Sequence, residues 1–350
     1  MTLDKFLKDK AVLITTDVNR FYLSGFRSSF GFLFVINGEK ILYVDSRYIE
    51  AAKKGAKKEV KVRLYEKISL MINDIKKEFS IKELFMEADI TYAEKANYDK
   101  AFEGIEIIPS SELSDALIEA RSIKTAEEIA CILKAQSFAE KAFSNALNYI
   151  KSGITEKEIA LKLEYDMGIA GSEGISFDTI VVSGKKSSMP HGVPTEKIIE
   201  DGDFVTMDFG AVFGGYHSDM TRTVAVEYAT DEMIKVYETV LSAQKATLDI
   251  LKAGVTGRDA DKAARDLIAK EGYGEYFNHS TGHGVGLEIH EAPNLAPSCD
   301  KILNCGNVVT VEPGVYLEGK FGVRIEDMAV IKENGIENLT KSEKSLIILK

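Results

Sequence analysis

The 350-residue sequence predicts an α/β (α+β) protein in two parts: an N-terminal mixed-sheet domain over 1–120 and a C-terminal domain over 121–350. Three observations predict it. The first third of the chain alternates short β-rich runs with polar helical stretches. Further on, one helix-stop pattern occurs twice, as KSGIT at 151–155 and KAGVT at 252–256. Each copy is followed by a long β-hairpin pattern that carries two carboxylates, so the C-terminal domain reads as an internal pseudo-twofold duplication.

In the N-terminal domain, FGFLFVI at 30–36 and KILYV at 40–44 flank Asn37-Gly38. That dipeptide suits a type I′ turn, which needs positive φ at both positions. KVRLY, ELFME and IEIIP are further short strands. The polar segment 110–125 holds a short helix and reads as the connection to the second domain.

Thr125 opens a long helix to about Ile150, with Glu128 completing a capping box; Thr155 and Glu158 repeat the device. A second helix pair begins near Asp231, pauses at KAGVT and ends near Gly272. In both stop patterns lysine is expected in the last turn, glycine at the C-cap and threonine at the next start.

The segment 203–227 reads as a hairpin turning at Phe213-Gly214, which places Asp208 directly opposite Asp219. The segment 307–331 turns around Gly319 and places Glu312 opposite Glu326. Opposed residues share a sheet face, and like charges there destabilise the pair. Two remedies exist: raised pKa values that keep protons on some of the carboxyls, or cations. Four carboxylates match the charge of two divalent ions, and a bridging carboxylate spans the separation of about 3.5–4 Å usual in two-metal hydrolytic sites. His283, between Gly282 and Gly284, adds one nitrogen ligand. A mostly oxygen set with one imidazole favours Mn²⁺, Co²⁺ or Fe²⁺ over a closed thiolate zinc site. Two other matches are discarded. Asp208-Phe209-Gly210 lacks the companion motifs of a kinase. His290-Glu291 lacks the second histidine of a zincin, because position 294 is asparagine.

Composition limits the setting. A net charge of −11 argues against a nucleic-acid surface. No apolar run is long enough to span a bilayer, and the charged start MTLDKFLKDK reads as unprocessed. Three cysteines without paired spacing read as reduced thiols of a cytoplasmic protein.

The segments MDFG, YHSDMTRT, STGHGVGLEIHE, VEPGVY and VRIEDM together resemble the pita-bread metallopeptidases, in the prolidase (Xaa-Pro dipeptidase) and Xaa-Pro aminopeptidase branch. TTDVNRFYLSGF and YVDSRYIEAA resemble the creatinase-like N-terminal domain of that branch. The resemblance implies a dimetal hydrolase of Xaa-Pro bonds, acting as a homodimer on small peptides. The metal ligands would be Asp208, Asp219, His283, Glu312 and Glu326, with Asp219 and Glu326 bridging. Mn²⁺ or Co²⁺ leads, with Zn²⁺ and Fe²⁺ as further candidates. Glu312 would carry the proton toward the leaving nitrogen. His191 and His290 would hydrogen-bond the substrate and the tetrahedral intermediate, and His279 takes a substrate-side role. Arg324 shares the face of Glu326, and would pair with a ligand carboxylate or with a peptide carboxylate. His217 is read as a core residue. Where the family often carries an arginine after the His290 segment, this chain has Asn294.

The Xaa-Pro bond is a tertiary amide without an N–H. A site that acts on the carbonyl needs no contact to that N–H, and the substrate's free ammonium can approach the acidic cluster. The alternatives are an aminopeptidase acting on longer peptides and a non-catalytic binding module on the same fold. The module is disfavoured because all five ligand positions are filled.

Overall fold

Asn37 and Gly38 have φ of 53° and 79°, the two left-handed residues that a type I′ turn requires. The turn closes a hairpin at the centre of the N-terminal unit. The computed structural model describes residues 1–350 and divides into two compact units, Met1–Arg121 and Ser122–Lys350.

In the first unit, α1 (Leu3–Asp9), β1 (Val12–Ile14), α2 (Asp17–Ser24), β2 (Phe32–Ile36), β3 (Glu39–Val44), α3 (Ile49–Gly55), β4 (Val60–Leu64), α4 (Ile68–Glu78), β5 (Glu83–Glu87), α5 (Tyr92–Ala101), β6 (Glu106–Ser110) and α6 (Ser111–Ser122) follow in order. The sheet order is β4-β3-β2-β1-β5-β6, antiparallel at its centre and parallel at both edges. Alternation sorts the strand residues onto two faces. Val12, Ile14, Leu33 and Val35 join one core, while Leu13, Phe34 and Ile36 join the other. Helix α6 corrects an expectation. It is no mere connection, because Leu113, Ala116 and Leu117 are buried in the first of these cores.

The second unit runs α7 (Ala126–Leu147), α8 (Glu156–Ala170), β7 (Ile180–Ser183), β8 (Phe204–Phe209), β9 (Val212–Phe213), β10 (Tyr216–His217), β11 (Met220–Val226), α9 (Asp231–Ile250), α10 (Gly257–Lys270), β12 (Gly282–Gly284), β13 (Glu291–Leu295), β14 (Val308–Val311), β15 (Gly314–Leu317), β16 (Phe321–Arg324), β17 (Asp327–Lys332), β18 (Gly335–Asn338) and β19 (Ile348–Leu349). Each half packs a helix pair, α7 on α8 and α9 on α10, and then folds a hairpin, β8 to β11 and β14 to β17. Both capping boxes form, at Thr125 and Thr155. Thr256 caps α10 through the backbone N–H of Asp259.

The helix stops differ in detail from expectation. Helices α7 and α9 end at Leu147 and Ile250, with Asn148 and Leu251 at the C-caps. Gly153 and Gly254, with φ of 95° and 93°, stand a few residues further on. They turn the chain into the following helix instead of capping the preceding one.

The first hairpin also departs from expectation. Phe213 pairs with Tyr216, and Thr221 pairs with Asp208. The turn is therefore Gly214-Gly215, with φ of 59° and 79°, and not Phe213-Gly214. Asp208 lies opposite Thr221, and Asp219 is displaced from it by two residues. An even displacement keeps both aspartates on one face, because side chains alternate with period two. In the second hairpin Val311 pairs with Asp327 and Gly314 with Arg324. The same register on both sides of the break sets Glu312 across from Glu326.

Candidate metal centre

The two hairpins meet where their carboxylates lie. The backbone N–H of Glu326 donates to the carbonyl of Thr221 at 3.1 Å, and Thr223 Oγ1 donates to the carbonyl of Arg324 at 3.0 Å. These bonds dock the second hairpin against β11. Strand β12 then enters between β13 and β14. Its approach is so close that a Cβ on Gly282 would lie 2.0 Å from the carbonyl oxygen of Thr310, and one on Gly284 would lie 2.4 Å from that of Ala292. The glycines around His283 thus let its backbone reach the cluster.

A cavity of about 510 Å³ results, lined by Asp208, Asp219, His283, Glu312 and Glu326 together with His191, His279, His290 and Arg324. Every site residue expected from the sequence is brought to this one cavity. Asn294 and His217 are not among its lining. His217 sits half-buried in β10, where its backbone N–H donates to the carbonyl of Gly286 at 2.8 Å.

Ligand atoms of Asp219, His283 and Glu326 lie within 4.8 Å of one another. His283 Nε2 is 3.7 Å from Asp219 Oδ2 and 3.3 Å from Glu312 Oε1. Its Nδ1 is 3.0 Å from the carbonyl oxygen of Gly284. A carbonyl only accepts, so an Nδ1 proton points there and Nε2 faces the carboxylates, the side from which a metal-ligating imidazole binds. Asp208 Oδ1, Asp219 Oδ1 and Glu326 Oε1 are buried without any hydrogen-bond partner. Three orphaned acceptors in one buried cluster are costly unless cations satisfy them. The donor set therefore fits divalent ions.

Neighbouring side chains hold these carboxylates in place. Arg324 is buried, and its Nη2 donates to Asp208 Oδ2 at 2.5 Å. Its other donors reach Thr221 Oγ1 at 3.1 Å, Tyr316 Oη at 2.9 Å and the carbonyl of Pro190 at 3.3 Å. With those donors engaged, Arg324 serves as a carboxylate partner, the first of its two expected roles, and has no fork left for a peptide carboxylate. Thr221 Oγ1 donates to Glu326 Oε2 at 2.7 Å, and Thr310 Oγ1 donates to Glu312 Oε1 at 3.2 Å. Tyr316 Oη is also 3.0 Å from His279 Nε2.

Sequence reasoning missed these threonines and Tyr316, although the signal was present. Thr221 and Thr310 stand two residues from Asp219 and Glu312, which puts each on its ligand's face. It also missed two buried acids that anchor the histidine loops. Glu156 is fully buried and accepts from the backbone N–H of Ser183 at 2.8 Å, from Lys186 Nζ at 2.6 Å and from the backbone N–H of Thr195 at 3.1 Å. These bonds fix the segment carrying His191. Asp261 pairs with Arg265, which donates to the carbonyl of His279 at 2.8 Å.

Burial and mutual repulsion shift the carboxyl groups of the cluster in different directions. Burial pushes Asp219 and Glu326 well above the usual carboxylate range, and the neighbouring acids push them further. Burial also raises Asp208, against the pull of Arg324. Burial would raise Glu312 as well, but the hydrogen bond and charge of His283 prevail and hold it at about 2. His283 itself is raised, its burial outweighed by Glu312. In the metal-free centre these shifts favour the protonated forms of Asp219, Glu326 and His283. Cations bind the deprotonated forms, so loading releases protons and affinity rises as the pH is raised. Calorimetric titration in buffers of different ionisation enthalpy measures the release; a pH-independent affinity with no proton release would contradict it.

Residues 130–333 match metallopeptidase family M24, and residues 5–120 match the creatinase/prolidase N-terminal domain. The Xaa-Pro dipeptidase of Pyrococcus horikoshii is 41% identical, over 96% of this chain and 94% of that protein. The solved structure of Xaa-Pro dipeptidase from Bacillus anthracis superposes with a TM-score of 0.94 at 42% identity, covering 99% of this chain and 98% of that one. That of X-Pro aminopeptidase from Thermotoga maritima gives 0.93 at 38% identity, covering 99% of each chain. No helix is long and apolar enough to cross a membrane. From the duplicated fold, the clustered carboxylates and these likenesses together, the chain belongs to metallopeptidase family M24 and is a peptidase of the branch that carries the creatinase/prolidase N-terminal domain.

Proposed function

We propose that the chain hydrolyses the Xaa-Pro peptide bond as a dipeptidase and uses two divalent ions, Mn²⁺ or Co²⁺, in the carboxylate cluster. The observation that carries the metal reading is the trio of orphaned buried oxygens of Asp208, Asp219 and Glu326 in the cavity that His283 also lines. The names of the similar proteins support the proline preference. Asp208, Asp219, His283, Glu312 and Glu326 would hold the ions. Bound there, the ions would lower the pKa of water and polarise the scissile carbonyl.

The chain's own residues do the rest. Glu312, beside His283 and Thr310, would take a proton from the attacking water and pass it toward the leaving proline nitrogen. His191 and His290 line the same cavity and present imidazoles to the substrate carbonyl and the developing oxyanion. The rings of His290 and His283 stand edge to face at 4.3 Å, which fixes one against the other. His279, oriented by Tyr316, faces the same space.

A second reading, an Xaa-Pro aminopeptidase acting on longer peptides, is favoured by the likeness to the Thermotoga maritima enzyme. Hydrolysis of Ala-Pro and Ala-Pro-Ala, with Mn²⁺ or Co²⁺ added, separates the two. Cleavage of the dipeptide alone is the expected result; cleavage of both favours the aminopeptidase, and cleavage of neither refutes the Xaa-Pro reading. We further propose a cytoplasmic homodimer, in keeping with three free cysteines. Sedimentation of the purified protein measures the assembly.

A further inference from the structure

Glu326 lines the cavity and accepts from Thr221 Oγ1 at 2.7 Å. Strand alternation turns the next residues, Arg222 and Asp327, to the opposite side, and both are buried there. A guanidinium has five N–H donors, and Arg222 finds an acceptor for each. Its Nη1 donates to the carbonyls of Thr221, at 2.9 Å, and of Glu326. Its Nη2 donates to Asp327 Oδ1 and to the carbonyl of Ser342, both at 2.8 Å. Its Nε donates to the carbonyl of Glu343 at 2.9 Å.

Residues 341–349 thus form a strap behind the carboxylate cluster, and the strap touches both halves of the duplicated unit. From the first half, Glu140 of α7 accepts from the backbone N–H groups of Lys341 and Ser342. Ala225 and Glu227 donate their N–H groups to the carbonyls of Ile347 and Leu349, at 2.9 and 2.7 Å. From the second half, Tyr237 Oη of α9 donates to the carbonyl of Lys344 at 3.0 Å. Lys344 Nζ reaches back to Asp327 Oδ2 at 2.6 Å and to Gln244 Oε1 at 3.0 Å. Asp327 therefore holds Arg222 with one oxygen and Lys344 with the other. A clip that served folding alone could close anywhere along these elements. This one closes on the carbonyls of the two residues that make the Thr221–Glu326 hydrogen bond, so its seating sets where the Glu326 carboxylate stands.

We infer that Arg222 and Lys344 are positioning residues for the metal centre, and that seating of the strap and binding of the ions favour one another; this rests on the metal reading above. Glu326 Oε1 is buried without a partner, so the carboxylate depends on its backbone and on Thr221 for its place. With the strap seated, Arg222 fixes both. With Lys344 removed, the strap loses its tie to Asp327, and the ions must order Glu326 themselves, which weakens their binding. Coupling is reciprocal, so ions that select the ordered Glu326 also hold the strap down.

Two measurements test the coupling. In wild type, loading with Mn²⁺ slows hydrogen exchange at the amides of Ser342, Ala225 and Glu227 by about tenfold more than at the amides of α8. In Lys344→Met, titration calorimetry below the melting transition reads a Mn²⁺ affinity about tenfold weaker than in wild type, and Lys344→Arg restores most of it. A purely structural strap would lower the melting temperature of the methionine variant and move neither reading. Either reading unchanged, in wild type that binds Mn²⁺, overturns the coupling and leaves the metal reading standing. Wild type that binds no Mn²⁺ overturns the metal reading, and the coupling with it.

Discussion

Asp219→Asn is expected to lower peptidase activity by about a thousandfold or more, while the metal-free protein becomes more stable. Asp219 is buried, its Oδ1 has no partner, and its Oδ2 faces His283. As a proposed ligand of the ions it shares a cluster with His283 and Glu326, and an amide nitrogen would not take its place. The same features make it a liability when no cation is bound. Its pKa is raised by burial first and then by Glu326, Asp208 and Glu312, so ionising the metal-free cluster is unfavourable. An amide removes that charge and offers donors to a cavity whose spare atoms are acceptors. A gain of about 1 kcal/mol, or about 2–4 °C in melting temperature, is expected for the chelated variant. Thermal melting of both proteins in chelator and with Mn²⁺, together with elemental analysis, measures both effects. Wild type should hold about two ions per chain and gain stability from them, and the variant should gain little. An active variant would contradict the assignment, as would a chelated variant melting well below chelated wild type.

Arg324→Met is the second large effect, with the opposite sign on stability. The guanidinium is buried, and it ties Asp208 to Thr221, Tyr316 and the backbone of Pro190. Removing one partner of a buried ion pair costs about 3–5 kcal/mol, because the other charge is left without compensation. For a chain of this size that corresponds to a fall of roughly 10 °C. Arg324→Lys keeps the charge but not the fork, and should fall between the two. Activity should drop in both variants, since Asp208 loses its orientation and Thr221 in turn holds Glu326. Melting of the metal-loaded proteins is the measurement. A methionine variant that melts within about 2 °C of wild type would show that the pair carries no net stability.

Much of the centre was legible before any coordinates. The glycines around His283, the paired carboxylates in two hairpins and the repeated helix starts all carry local signals. The first hairpin shows where such signals stop. Its turn lies at Gly214-Gly215, one residue beyond the expected position, and the pairing of Asp208 moved from Asp219 to Thr221. The inference of a shared face survived because moving the turn by one residue shifts the pairing by two, the period of the strand. Helix α6 was obscured by its polar majority, although Leu113, Ala116 and Leu117 form the stripe that buries it. Thr221 and Thr310 were readable by the same alternation that exposed their neighbouring ligands.

By itself the sequence determined the class of fold, the ligand types and the faces they share, because helix caps, glycine turns and two-residue alternation are properties of neighbours along the chain. Only the tertiary structure decided which atoms meet. The guanidinium of Arg324 on Asp208 and the Nε2 of His283 near Asp219 and Glu312 join segments far apart in sequence. Their geometry is set by strand register and by how two hairpins dock. Those depend on the packing of the whole unit, and no local pattern encodes them.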